Sequence, residues 1–214
     1  MRTEDAPLIR LEDYRPSDWL IDTVDLDVSL HPTKTRVRSL LSLRPNPAGQ
    51  PGAPLTLDGD ELSLKTISLD GKPLDASAYA ASPQALTIHA PPRRGFTLTI
   101  ETEIDPSANT KLMGLYRSSK VYCTQCEADG FRRITYFLDR PDVMSVYTVR
   151  LEAAKAEAPV LLSNGNLVAA AELPGGERHF AVWHDPHPKP AYLFALVGGA
   201  LDHVRQDYVT ADRK

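Results

Sequence analysis

Cys123-Thr-Gln-Cys-Glu-Ala-Asp-Gly-Phe-Arg-Arg-Ile-Thr-Tyr-Phe-Leu-Asp-Arg-Pro-Asp142 is where the pattern of this chain changes. Before and after it, apolar and polar residues alternate as in half-buried strands. Within it the alternation stops, and acids, bases, two thiols, an amide and aromatics crowd together. Gln125 and Glu127 lie two apart, so an extended backbone would point both to one side. Two polar side chains aimed together from a strand end can grip a small polar group. Asp139-Arg-Pro-Asp142 reads as a turn that opens a short helix, with Pro141 at an early helical position.

Working outward, Leu20, Asp22, Val24, Leu26, Val28 and Leu30 alternate with Asp25, Asp27 and Ser29. His31-Pro-Thr-Lys34 is a turn, and Thr35 to Leu43 returns, which predicts a hairpin. A loop dense in proline and glycine runs from Asn46 to Pro54. Short strands are expected at 55–57, 62–69, 85–89, 95–104, 112–116 and 120–124, with Asp70-Gly71 as a turn. Beyond Asp142, strands are expected at 146–153, 160–162, 167–173 and 179–183. Ser163-Asn-Gly-Asn166 supplies positive φ angles for a tight turn. The apolar run 191–199 reads as a strand covered on both faces, and 201–209 as the last strand. No long helical stripe occurs. The predicted fold is all-β, a sandwich of curved, largely antiparallel sheets with at most short helices. Residues 1–16 read as a polar N-terminal arm and 17–214 as one β-sandwich domain.

The chain has 214 residues and a formal net charge of −4. That balance argues against a nucleic-acid surface, which needs a basic excess. No apolar run approaches the roughly 20 residues that span a bilayer, so no membrane partner is expected. Met1-Arg-Thr-Glu-Asp-Ala-Pro-Leu8 lacks an apolar signal core, and a cytoplasmic location is the simplest expectation. Cys123 and Cys126 form a lone C-x-x-C. A thioredoxin-type pair would sit at a βα junction, and a zinc site would need two more ligands. Neither context is visible, so two reduced thiols packed beside the Gln-Glu pair is the preferred reading. His184 and His187 flank Asp185-Pro186 and read as loop residues rather than metal ligands. No His-Glu-x-x-His, Gly-x-Ser-x-Gly or phosphate-binding loop is present.

Thr124-Gln125-x-Glu127-Ala128, then Arg132, then Asp139-x-Pro141, resembles the signature of the zinc aminopeptidase N family. Gly130 to Pro141 resembles the bacterial alanyl aminopeptidase branch of that family. Ala108-Asn-Thr110, Gly114-Leu-Tyr116, Ser163-Asn-Gly-Asn166 and 188–197 match the same branch, so the likeness runs from about Tyr14 to the end. Thr135-Tyr136-Phe137 and Arg140 depart from the broader family but suit this branch.

The resemblance implies a saddle-shaped N-terminal β-domain of a larger zinc metallo-aminopeptidase. The zinc would be held by a separate catalytic domain, with none bound here and none of the catalytic residues in this chain. It also implies that Glu127 takes the α-ammonium of a peptide substrate. Gln125 would hydrogen-bond the same end or line the first side-chain pocket. From the residues alone, a polar strand-end pair on a solvated rim explains both side chains as well. Arg132, Asp139 and Asp142 would hold the turn. The isolated chain is then expected to be inactive, with the peptide N-terminus and its own catalytic domain as partners. The alternative is a free-standing β-sandwich module that binds carbohydrate or a protein.

Overall fold

A computed structural model describes residues 10–209. The fold is all-β. In chain order the strands are β1 (Trp19–Ser29), β2 (Thr35–Pro45), β3 (Leu55–Asp58), β4 (Ser63–Leu69), β5 (Lys72–Pro73), β6 (Tyr79–Ser82), β7 (Ala85–Ile88) and β8 (Phe96–Ile104). They continue as β9 (Gly114–Ser118), β10 (Val121–Gln125), β11 (Ser145–Ala154), β12 (Val160–Ser163), β13 (Asn166–Glu172), β14 (Arg178–Lys189) and β15 (Leu196–Gly199). The helical elements described are single 3-10 turns, at Leu11–Asp13, Ala76–Ala78, Phe131–Arg133 and Ala191–Leu193.

An eight-stranded sheet runs in the order β13-β14-β11-β1-β2-β8-β4-β5. Two smaller sheets, β12-β15-β10-β9 and β3-β7-β6, complete the sandwich. β1 and β2 form the expected antiparallel hairpin, and His31 Nδ1 accepts from the Thr33 and Lys34 amides in its turn. The pairing of β1 with β11 is parallel, and it closes the centre of the large sheet across more than a hundred intervening residues. In β2, β8 and β11 alternate residues are buried, as a two-residue period demands. Their inward side chains, such as Val37, Leu41, Leu98, Ile100, Val149 and Leu151, are no more than 2% exposed and build the core.

Several expectations change. A bulge between Ile21 and Thr23 flips the phase of β1. Trp19 and Ile21 are buried before it and Val24, Leu26 and Val28 after it, while Asp22 points out to pair with Arg44 at 2.9 Å. The turn at 139–142 opens no helix; the local 3-10 turn lies earlier, at Phe131–Arg133. The run 191–199 is a 3-10 turn followed by a four-residue strand, because Phe194 and Ala191 pack into the core rather than into a ladder. Residues 201–209 form no strand and find no ladder partner. His184 and His187 lie within β14 rather than in a loop.

At Ser163–Asn166 only Gly165 has a positive φ, +85°. A Cβ there would lie 2.2 Å from the His184 carbonyl oxygen, so the close approach requires glycine. Asn164 acts through its side chain instead. Its Nδ2 donates to Leu193 O at 3.1 Å and its Oδ1 accepts from Ala195 N at 2.7 Å. That pair of bonds fixes the entry into β15. Of the predicted arm, residues 1–9 lie outside the described residues. The remainder fastens to the 140–142 turn: Tyr14 Oη donates to Asp142 at 3.0 Å, and Arg140 Nη2 donates to Arg15 O at 2.7 Å.

Candidate functional site

β10 ends at Gln125, and the chain turns over 127–130. Gln125 and Glu127 therefore do not share one extended segment, which corrects the strand-based reason for pairing them. A turn brings them together instead. Gln125 Nε2 donates to the Glu127 carbonyl oxygen at 3.0 Å, and both side chains are exposed. Gly130 N donates to Cys126 O at 2.8 Å and closes the turn. A Cβ on Gly130 would sit 2.2 Å from Gln125 O and 2.7 Å from Cys126 Cα, so only glycine lets the turn fold back this tightly. Cys126 points the other way and is 3% exposed. Burial, with the nearby Asp139 charge, pushes its thiol well above the ordinary cysteine range.

The turn stands on a buried floor. Asp139 Oδ2 accepts from Arg132 N at 3.1 Å and Arg132 Nε at 3.0 Å, and Arg132 Nη2 donates to Asp139 O. Burial raises the Asp139 carboxyl above its usual range despite these bonds. Arg140 grips Asp142 through two bonds, at 2.7 and 2.8 Å, and that grip holds the Asp142 carboxyl below its ordinary range. Beneath them Phe131 meets Phe137, Phe194 and Tyr147 edge-on, at centroid distances of 4.8, 5.0 and 6.0 Å. Two supports carried no signal in the sequence. Asp58 accepts from Asp139 N, and its backbone pairs with Phe137. Thr124 Oγ1 donates to Leu196 O and accepts from Leu196 N. Each joins residues at least 72 positions apart, which no local pattern can encode.

The site lies at one end of an apolar sheet face. Tyr116, Cys123, Val197 and Leu162 are directly opposed across β9, β10, β15 and β12. Opposed residues point to the same side of a sheet. Their neighbours Leu115, Tyr122, Leu196 and Leu161 fill the core, so this row faces out, and Leu162 is 40% exposed. Gln125 continues the same face along β10. Among the described residues, no three His, Cys, Asp or Glu side chains come together where they could hold a metal ion. Cys123 and Cys126 are both free thiols.

A model of the Peptidase M1 N-terminal domain matches residues 20–193. The chain belongs to this family. It is 53% identical over 210 residues to aminopeptidase N of Caulobacter vibrioides, covering 98% of this chain and 24% of that protein. It is 46% identical to aminopeptidase N of Escherichia coli, covering 92% of this chain and 22% of that one. Among solved structures, Legionella pneumophila aminopeptidase A in complex with aspartic acid superposes with a TM-score of 0.87 at 33% identity. That match covers 95% of this chain and 24% of the Legionella chain. The M1 zinc metallopeptidase of Deinococcus radiodurans shares the fold, with a TM-score of 0.75 at 16% identity. The chain thus spans about a quarter of the length of the curated relatives it matches.

Proposed function

We propose that this domain supplies the substrate-amine anchor of a zinc aminopeptidase that removes N-terminal residues from peptides. The observation that supports it best is Glu127, held outward on a glycine-closed turn at the end of an apolar sheet face. An α-ammonium offers three donors, and a carboxylate is its natural partner. An internal peptide nitrogen carries no charge, so such an anchor selects the chain end. Gln125, tied to the Glu127 carbonyl, orients the anchor and lines the first side-chain pocket. Zinc is assigned to the remaining length that the relatives have, since no cluster of donors for it forms among the described residues. When bound there it would polarise the scissile carbonyl. The apolar row Tyr116–Cys123–Val197–Leu162 is the surface on which that catalytic part seats. The isolated chain is then inactive, and two free thiols suit the reducing cytoplasm.

The test is Glu127→Gln in the full-length enzyme, which keeps shape and removes charge. A hydrogen bond to a charged group is worth about 1.5–3 kcal/mol, so kcat/KM falls about ten- to a hundredfold. Peptides blocked at the amino end lose nothing further. A change within about twofold in a folded enzyme would remove the anchor role. Leu162→Asp checks the seating: Leu162 is 40% exposed on the edge strand β12, so the isolated chain loses no more than about 1 kcal/mol, while the full-length enzyme loses activity.

A further inference from the structure

Ser163-Asn-Gly-Asn166 connects β12 to β13, and the amine anchor makes no use of it. It holds the chain's one Asn-Gly pair, Asn164-Gly165. An asparagine amide followed by glycine is open to attack by the next backbone nitrogen, because glycine puts no side chain in the way. The other asparagines, Asn46, Asn109 and Asn166, precede Pro47, Thr110 and Leu167. Proline has no N–H to give up, and the threonine and leucine side chains crowd the nitrogens they follow.

The native fold opposes that attack. Asn164 Nδ2 donates to Leu193 O at 3.1 Å, and its Oδ1 accepts from Ala195 N at 2.7 Å. With both amide atoms held by the 193–195 segment, the amide carbon is not free to swing back to Gly165 N. Neighbouring bonds secure the same segment. Ser163 Oγ donates to Ala195 O at 2.8 Å, and Thr124 Oγ1 binds both the N–H and the C=O of Leu196. The clasp nonetheless stands at an edge. β12 has four residues and is the outermost strand of its sheet, with Leu162 40% exposed. Such an element opens locally at less cost than the whole domain unfolds.

We propose that Asn164 is a site of spontaneous deamidation, held in check by this clasp and released when the β12 edge opens. In the step, Gly165 N gives up its proton and bonds to Asn164 Cγ. The Cγ–Nδ2 bond breaks, and Nδ2 takes up a proton and leaves as ammonia. Water then opens the cyclic imide at one of its two carbonyls, giving aspartate or isoaspartate; nothing is oxidised or reduced. Either product undoes the clasp. A carboxylate keeps an acceptor for Ala195 N but has no donor for Leu193 O. Isoaspartate also lengthens the main chain beside Gly165, where a Cβ would already lie 2.2 Å from the His184 oxygen. The loosened segment is bonded to Thr124, next to Gln125, so ageing at Asn164 reaches β10 without involving Glu127.

The 214-residue chain is held at mildly alkaline pH, folded and in urea, and its peptides are followed by tandem mass spectrometry. The expected result is the amide-to-acid mass gain at Asn164, and none on that timescale at Asn46, Asn109 or Asn166. Asp58-Gly59, Asp70-Gly71 and Asp129-Gly130 gain no mass by this route and do not interfere. The folded chain reacts about tenfold or more slowly than the unfolded one, because only its opened fraction is competent. Ser163→Ala and Thr124→Val each remove a bond to the 195–196 segment; they raise the folded rate about threefold or more and leave the rate in urea unchanged. Ser163 is not buried, so its variant serves even if Thr124→Val fails to fold. Asn164→Asp, which carries the product from the start, lowers the urea midpoint. Absence of the mass gain in urea overturns the site. Equal rates in the folded and unfolded chain, or a folded rate that Ser163→Ala leaves unchanged, overturn the clasp. An unchanged midpoint in Asn164→Asp overturns the consequence drawn for β15.

Discussion

In β2, β8 and β11 burial alternates residue by residue, whereas from Gly130 to Asp139 every residue except Arg132 is buried. The first region satisfies its backbone through ladders and needs only that every second side chain be apolar. The second runs through the interior and touches all three sheets: Thr135 meets Ser39 of β2, Tyr136 donates to Ser82 O of β6, and Phe194 beside β15 packs on Phe131. A buried irregular segment has to satisfy its polar groups one at a time. Here Thr102 Oγ1 donates to Ile134 O, Asp60 N to Arg132 O, and Asp58 exchanges backbone bonds with Phe137. The regular region therefore tolerates volume-conserving exchange, while the irregular one depends on particular partners.

The sharpest way to break this contrast is Phe131→Ala. Phe131 is fully buried with three edge-on aromatic neighbours, so a loss of about 3–5 kcal/mol is expected in urea unfolding. Leu41→Val in β2, a smaller change in an equally buried position, costs about 1 kcal/mol. Comparable losses in the two variants would erase the distinction. Next is Asp139→Asn, which removes the closer of the two carboxylates paired with Arg132 and leaves Asp129 at 3.4 Å; about 2 kcal/mol is expected, below the fully buried case because Arg132 is 26% exposed and keeps that second partner. Proteolysis at 126–132 should speed up in that variant before global unfolding does.

The two cysteines give a smaller effect. Cys126→Ser places a hydroxyl in a 3%-exposed site and costs about 1–2 kcal/mol, while Cys123→Ser, half-exposed, stays within about 0.5 kcal/mol. Alkylation followed by mass spectrometry should modify Cys123 first and Cys126 only on unfolding. The smallest effect concerns pH. Hydrogen bonds from Lys111 and Arg133 hold the Glu61 carboxyl at about 2, below its ordinary 4.5. Its contribution is thus complete above pH 4.5 and is lost as pH falls toward 2. Glu61 is 55% exposed, so solvent limits the term to less than about 1 kcal/mol. Stability measured in that window should fall less steeply for Glu61→Gln than for wild type, and added salt should narrow the gap.

The strand pattern was legible because burial in a ladder is periodic. Thr35 to Leu43 and Phe96 to Ile104 could be placed from alternation alone. Trp19 to Ser29 could be placed too, but its phase could not, since a bulge at Asp22 leaves no signature in composition. Residues 201–209 form no strand because Leu201, Val204, Tyr208 and Val209 follow no two-residue period and none of the nine is buried. For the site, the residue types of Gln125 and Glu127 and the family likeness singled out the pair. The extended geometry inferred for them was wrong, because Gly130 folds the chain back where two-residue spacing suggested a strand.

By itself the sequence determined which residues alternate, where turns fall, that Gln125 and Glu127 stand apart from the pattern, and which family the chain resembles. These are local properties, set by side-chain periodicity and turn chemistry within a few residues. Only the tertiary structure decided that β1 pairs in parallel with β11 and that Asp58 supports Asp139. Each of these brings together residues from distant parts of the chain. Their proximity follows from how all the sheets bury their apolar faces at once, and no window of sequence contains that sum.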